Sequence, residues 1–178
     1  MVYLDNNATT PLDPAVIEKM AWFMGGHFGN PSSLYPIGRE VKNLINEARA
    51  HVAAAVGAAK ASIYFTGSGT ESDNQAILGV IDALPDKREF VTTTIEHPAV
   101  SQTAAYLEGK GYKVTYVPVD ATGTIDLDAL RSAVTPQTAL VSVMHANNEI
   151  GTIQPIEDVV RIAREQGALV HTDAVQSF

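Results

Sequence analysis

The sequence contains no cysteine among its 178 residues. A chain without cysteine forms no disulfide, and it offers neither a thiolate metal ligand nor a cysteine nucleophile of its own. Basic residues are also few, since 12 Lys and Arg stand against 20 Asp and Glu, which leaves a net charge of −8. Proteins that bind nucleic acid present a basic patch or stripe, so this composition excludes that class.

Long apolar runs are missing as well. The alanine-rich stretch 52–59 is far too short to cross a bilayer, and the N-terminus lacks the basic region of a signal peptide. The overall composition, 46% apolar and 18% charged, is ordinary for a globular protein and excludes collagen-like and low-complexity classes. We expect a cytoplasmic protein that binds neither nucleic acid nor a membrane, with a length that suits one domain or part of a larger protein.

Short runs rich in β-branched residues alternate with longer helical stretches. Five runs predict strands, at 62–66, 89–94, 113–117, 139–144 and 168–172. Six stretches predict helices, at 15–24, 41–56, 71–83, 99–110, 126–133 and 156–165. Glycines stand where helix ends are capped, at Gly57, Gly111 and Gly167. This alternation predicts an α/β fold with a mostly parallel sheet and helices on both faces.

Polar clusters follow the predicted strands, where ligands bind in open α/β sheets. They are 67–74, 95–98, 145–151 and 173–176. The first has glycines that let the backbone approach an anion, and it opens a helix whose first N–H groups are free, which is typical of a phosphate site. A lone motif of this kind is more often a plain helix start with ordinary caps. Neither a P-loop nor a GxGxxG is present, so the commonest nucleotide sites are not supported.

Histidines occur near several of these strand ends. His97, His145, His171 and Asp173 could converge on a metal, but none forms the i, i+4 pair of a zinc helix. For His171, a buried and hydrogen-bonded imidazole is the simpler interpretation. We therefore expect no metal site.

Six segments, taken in order, resemble the NifS/IscS-like cysteine desulfurases, which belong to the class V aminotransferases with the fold-type I pyridoxal-phosphate architecture. The segments are 3–11, 29–33, 65–74, 96–100, 141–152 and 171–176. The resemblance implies that residues 15–178 form the pyridoxal-phosphate-binding large domain, incomplete at Phe178, and that residues 1–14 lie near the active site.

The resemblance also implies a role for individual residues. Gly69 and Thr70 match the site of the cofactor phosphate, and His97 matches an imidazole that stacks on the pyridine ring and transfers protons. Asp173 corresponds to the carboxylate that pairs with the pyridine nitrogen. Contacts to the ring and its O3′ side are assigned to Asn148 and Gln176. A purely structural use of Asp173 or Asn148, as a turn or cap residue, is the alternative.

The sequence departs from the family at several points. Tyr35 stands where the family commonly has histidine. In the family, three reactive residues come after the last matched segment: the Schiff-base lysine, the sulfur-accepting cysteine and the substrate-binding arginine. No lysine of this sequence occupies the Schiff-base position. We therefore expect a complementary C-terminal segment to complete the site, and the resemblance implies a homodimer.

The resemblance implies conversion of L-cysteine to L-alanine, with the sulfur passed to an enzyme cysteine as a persulfide and then to a sulfur acceptor or iron–sulfur scaffold protein, or to tRNA thiolation. A selenocysteine lyase, a cysteine sulfinate desulfinase or another class V enzyme is the alternative within the superfamily. A short, non-catalytic binding or scaffold protein is the alternative from another class.

A sheet that ended at Phe178 would have an open edge and an incompletely covered core, both of which favour aggregation. We expect the isolated 178-residue chain to be poorly soluble or unfolded without its complementary segment. Size-exclusion chromatography and urea unfolding of that chain test this expectation. A monomer that unfolds cooperatively would contradict it.

Overall fold

The computed structural model describes residues 2–178, and the chain divides into two compact units, one ending at Phe65 and one running from Thr66 to Phe178. The predicted division into 1–14 and 15–178 stays a prediction, and Met1 lies outside the described residues. In the described part of the chain, no helix is both long and apolar enough to span a membrane.

The first unit contains two helices, α1 (Pro14–Gly26) and α2 (Pro36–Ala55), and a 3₁₀ helix (Lys60–Ser62). Both α-helices begin at a proline, which has the helical φ and needs no hydrogen bond for its nitrogen. Helix α2 therefore starts five residues before the predicted position. The Asp13 side chain accepts a hydrogen bond from the Ala15 amide at 2.8 Å and caps α1.

Two glycines in the first unit allow the backbone to fold tightly upon itself. A Cβ on Gly38 would lie 2.5 Å from the Asn30 carbonyl oxygen, and a Cβ on Gly29 would collide with the Ile37 carbonyl oxygen. The 29–33 segment therefore has a structural use, because only glycine permits this approach to the start of α2.

The predicted strand at 62–66 is wrong. The structure has the 3₁₀ helix Lys60–Ser62 followed by irregular backbone, and Tyr64 and Phe65 are 77% and 52% exposed. Residues with high β propensity form a strand only against a hydrogen-bonding neighbour, and among residues 2–178 no strand pairs with this run.

The second unit is a four-stranded parallel sheet with strands β1 (Glu89–Thr93), β2 (Lys113–Val117), β3 (Thr138–Ser142) and β4 (Leu169–His171). Their order is β2-β1-β3-β4, so β1 and β3 are central. The four helices are α3 (Gly69–Ala83), α4 (Pro98–Gly109), α5 (Leu127–Ala133) and α6 (Ile156–Glu165).

Alternate strand residues pack against different helices, which places helices on both faces of the sheet. Phe90 and Leu140 belong to one buried cluster with residues of α3 and α4. Val91 and Val141 belong to a second cluster with residues of α5 and α6. This alternation follows from the two-residue period of a strand, and it confirms the predicted α/β architecture.

The glycines predicted to cap helix ends have positive φ, at +64° for Gly57, +81° for Gly111 and +69° for Gly167. Gly109, by contrast, is the last residue of α4, and an added Cβ there would meet no atom within 4 Å. Near Gly111 the closest atom to an added Cβ is 3.8 Å away, so a substitution there would meet strain from its φ alone.

We expect Gly111→Ala to lower the free energy of unfolding by about 1 kcal/mol, because a side chain disfavours the left-handed conformation. Gly109→Ala is the matched control and should raise it by about 0.5 kcal/mol, since alanine is the better helix former. Urea unfolding of the protein completed by its C-terminal segment measures both. Equal effects of the two variants would contradict the assignment of strain to φ.

Candidate functional site

The carboxyl ends of the parallel strands gather polar residues at one edge of the sheet. His97 follows β1, the segment 145–148 follows β3, and the segment 173–176 follows β4. The remaining predicted cluster, 67–74, does not follow a strand and instead contains the start of α3.

The start of α3 has the geometry of an anion site. Ser68 caps the helix by accepting the Glu71 amide at 3.1 Å, and the Glu71 carboxylate accepts the Gly67 amide at 2.6 Å. Within residues 2–178, the amides of Gly69 and Thr70 donate to no protein acceptor. Free amides at the positive end of a 15-residue helix favour a bound anion.

A cleft of about 610 Å³ brings Thr70 and His97 together. It lies between α3 and α4, and its other lining residues are Asn74, Leu78, Pro98, Ala99, Gln102, Thr103 and Tyr106. A phosphate at Thr70 and a flat ring near His97 would therefore share one cavity.

His97 is also the N-cap of α4. Its Nδ1 accepts a hydrogen bond from the Ala99 amide at 3.1 Å. A ring nitrogen that accepts carries no proton, so the neutral imidazole has its proton on Nε2. Nε2 is the nitrogen that remains for a ligand or a proton transfer.

Asp173 is buried, with 8% of its surface exposed. Its Oδ1 accepts the Val175 amide at 2.9 Å, and its backbone oxygen accepts the His145 amide at 2.8 Å. The turn that follows reaches the anion site, because a Cβ on Gly69 would lie 3.0 Å from Val175 Cγ2. The turn that begins at Asp173 thus contacts the start of α3 at Gly69, whereas Asp173 itself does not line the cleft that contains Thr70 and His97.

Asn148 and Gln176 are less tightly held. The Asn148 side chain donates to Glu149 Oε1 at 3.2 Å, and Gln176 is exposed. Among the hydrogen bonds of residues 2–178, neither side chain bonds to Asp173, His97 or Thr70. Their assignment to the cofactor stays a prediction.

The neighbouring Asn147 has the structural role that was considered for Asn148. It is 7% exposed, its Nδ2 donates to the Ile95 carbonyl at 3.0 Å, and its Oδ1 accepts the amides of Glu149 and Ile150 at 2.9 and 3.0 Å. Asn147 therefore shapes the loop after β3 and ties it to the turn before His97.

A row of polar side chains connects β3 and β4 to α3. Ser142 and His171 are paired positions on β3 and β4, and Ser142 Oγ lies 2.9 Å from His171 Nδ1. His171 Nε2 lies 3.4 Å from Asp73 Oδ1 of α3. His171 is hydrogen-bonded as predicted but only partly buried, with 14% of its side chain exposed, and the row ties α3 to the sheet.

Glu96 was not singled out from the sequence, although it is buried at the site. Its Oε1 accepts from Thr93 Oγ1 at 2.6 Å and from the Met144 amide at 3.0 Å. Its Oε2 is buried and has no hydrogen-bond partner among the described residues. Burial, opposed by these two hydrogen bonds and reinforced by the negative charge of Asp173, raises the pKa of Glu96 to about 7. An acidic residue three positions after a buried strand was the signal available in the sequence.

Across residues 2–178, the side chains of His, Asp and Glu form no cluster of three or more that could hold a metal ion. The histidines near the strand ends have other partners, since His145 Nδ1 lies 2.8 Å from Ser177 Oγ.

The sequence matches the aminotransferase class-V family over residues 2–178. The chain belongs to the aminotransferase class-V family. This class-V chain is 52% identical to the cysteine desulfurase IscS of Methanosarcina thermophila, in an alignment that covers 99% of this chain and 44% of that protein.

Solved structures agree with this assignment. A structure described as a NifS-like protein matches with a TM-score of 0.96 and 46% identity, over 99% of this chain and 49% of that one. A structure of SspA in complex with cysteine matches with a TM-score of 0.95 and 38% identity, over 100% and 52% of the two chains. The resemblance to NifS- and IscS-like cysteine desulfurases is thereby confirmed. The class-V chain spans about half the length of the relatives that it matches.

The two adjacent asparagines of this class-V chain should behave differently. We expect Asn147→Ala to lower the free energy of unfolding by about 2 kcal/mol, because it leaves three partly buried backbone groups without their partner. Asn148→Ala is the matched control and should change it by less than about 0.5 kcal/mol, as for most half-exposed positions. Urea unfolding distinguishes the two, and a larger loss at Asn148 would contradict this assignment.

The raised pKa of Glu96 predicts a pH dependence of stability. Between pH 4.5 and about 7, the folded state keeps a proton on Glu96 that the unfolded chain loses. The contribution of Glu96 to the free energy of unfolding is therefore complete below pH 4.5 and is lost as the pH rises through about 7. Relative to Glu96→Gln, which does not titrate, the free energy of unfolding should fall by about 3 kcal/mol over this range. If the free energies of unfolding of the two proteins changed with pH in the same way, Glu96 would have an ordinary pKa.

Proposed function

We propose that the chain is the N-terminal part of a pyridoxal-phosphate-dependent cysteine desulfurase, which converts L-cysteine to L-alanine and transfers the sulfur to an enzyme cysteine as a persulfide. The observation that carries the proposal is the 52% identity to a cysteine desulfurase over 99% of this chain. The cysteine in the SspA structure supports L-cysteine as the substrate.

The residues at the start of α3 fit the phosphate of this cofactor. The free amides of Gly69 and Thr70 supply donors, and the Thr70 hydroxyl lies in the same cleft as His97. A side chain at position 69 would contact Val175 within 3.0 Å, so glycine keeps the backbone accessible to a phosphate. The dipole of α3 adds attraction for a dianion.

Pyridoxal phosphate supplies a ring that accepts the electron pair left on the substrate Cα when its proton is removed. In our proposal Asp173 holds a proton on the pyridine nitrogen through its buried carboxylate. His97 stacks on the ring and moves a proton through Nε2, since Nδ1 is occupied by the Ala99 amide. Asn148 and Gln176 orient the ring from the O3′ side.

Further groups must complete the reaction. None of the 178 residues is a cysteine, so the sulfur-accepting thiol is supplied outside this sequence, as are the Schiff-base lysine and the arginine for the substrate carboxylate. We propose a cytoplasmic homodimer, completed by a C-terminal segment, that delivers sulfur to an iron–sulfur scaffold protein or to tRNA thiolation.

The assignment of Asp173 is tested in the completed protein by Asp173→Ala. We expect the rate of alanine formation from L-cysteine to fall at least 100-fold, because the ring loses the carboxylate that keeps its nitrogen protonated. Asp86→Ala, which changes an exposed aspartate before β1, is the control and should retain the full rate. Absorbance of the bound cofactor and far-ultraviolet circular dichroism establish loading and folding.

An unchanged rate in Asp173→Ala would remove this role from Asp173. A completed wild-type protein that binds no pyridoxal phosphate, or that releases no alanine from L-cysteine, would refute the proposed function as a whole.

A further inference from the structure

The turn between β1 and α4 is fastened to the loop after β3 at two points. Glu96 Oε1 accepts the Met144 amide at 3.0 Å, and Asn147 Nδ2 donates to the Ile95 carbonyl at 3.0 Å. The Thr93 hydroxyl at the end of β1 donates to the same oxygen of Glu96 at 2.6 Å. Because His97 directly follows Glu96, these contacts fix the backbone position from which the His97 side chain extends.

The same loop connects Glu96 to Asp173. The Met144 amide donates to the Glu96 carboxyl group, and the next amide, of His145, donates to the backbone carbonyl oxygen of Asp173 at 2.8 Å. Glu96 is therefore linked through the 144–145 backbone to the residue assigned to the pyridine nitrogen, and it is adjacent in sequence to the residue assigned to the ring face.

The second oxygen of Glu96 indicates which form of the acid the site holds. Oε2 is buried without a hydrogen-bond partner among the described residues. An ionised carboxylate would bury an unpaired negative charge there. That costs more than burying the unpaired hydroxyl of the neutral acid, so the surroundings of Oε2 favour the neutral form.

We propose that Glu96 is a positioning residue that holds His97 and Asp173 in register at the strand ends, and that its neutral form leaves Asp173 as the carboxylate that carries the negative charge of the site. The proposal rests on the function proposed above, because it assigns the charge of Asp173 to the cofactor ring. It adds a group that does not touch the cofactor and acts through its two neighbours.

The charged groups that face Glu96 act in opposite directions. The negative charge of Asp173 raises the pKa of Glu96, while His171 lowers it, as do the hydrogen bonds from Thr93 and Met144. Burial is the largest cause of the rise to about 7. The acid next to the cofactor ligand therefore changes charge near neutral pH, and its titration reports on Asp173.

The experiment measures the protonation of Glu96 directly in the completed protein, both with and without pyridoxal phosphate. Infrared difference spectroscopy between pH 5 and 9 follows the carbonyl stretch of a protonated carboxylic acid. The band is assigned to Glu96 by its loss in Glu96→Gln, which keeps the side-chain shape, and its glutamate origin is established independently by ¹³C-glutamate labelling. Glu89→Gln, at the opposite end of the same strand, is the matched control and should leave the band unchanged.

We expect the Glu96 band in the cofactor-free protein to disappear with a midpoint near 7, and Asp173→Asn to lower that midpoint by about one pH unit, because a nearby like charge is removed. His171→Gln should raise it, since the imidazole favours the ionised form. In the loaded protein, Glu96→Gln should lower the pH midpoint of the cofactor's visible absorbance, because the negative charge that Glu96 adds above its own midpoint is gone.

A glutamate band absent above pH 5, or a midpoint that does not respond to Asp173→Asn, would overturn the proposal. An unaltered cofactor titration in Glu96→Gln would likewise limit Glu96 to a structural role and overturn it. Failure of the wild-type protein to bind pyridoxal phosphate would refute the proposed function instead, and the titration of Glu96 in the cofactor-free protein would still be measured.

Discussion

Parallel pairing of β1 with β3 is the constraint on which the candidate site depends. Thr92 pairs with Ser142, and on the other side Ser142 pairs with His171. Because the three strands run in the same direction and in this register, the segments that leave them emerge at one edge. A slip of one residue would turn Ser142 away from His171 and move the Met144 amide away from Glu96.

Much of the fold follows from local sequence signals. Apart from the start of α2, the helices begin and end close to the predicted positions because their signals are local, such as Asp13 before Pro14 and Gly111 after α4. The run 62–66 has equally good β propensity and still forms no strand, since a strand requires a neighbour that propensity cannot supply. Strand pairing depends on segments that are distant in the sequence, so the composition of one segment does not determine it.

The candidate site shows the same limit at the level of single residues. Gly69, Thr70, His97 and Asp173 lie in motifs whose position after a strand or before a helix is visible in the sequence. The different roles of Asn147 and Asn148 are not visible, because two identical neighbours differ only in which one faces the Ile95 carbonyl. Glu96 was missed for a related reason, since its importance comes from Thr93, Met144 and Asp173, which meet it only in the folded chain.

The hydrogen bond from the Ala99 amide to His97 adds a structural role to the role proposed for this side chain. Nδ1 of the imidazole caps the start of α4. In the proposed function the ring stacks on the cofactor, and Nε2 transfers a proton. Asparagine, aspartate, serine and threonine are strong capping residues, and none of them has an aromatic face. Position 97 is therefore under two selective constraints. A lineage that lost the proposed reaction would still be selected to keep a capping residue there, and the residues that can replace histidine as a cap could not take part in that reaction.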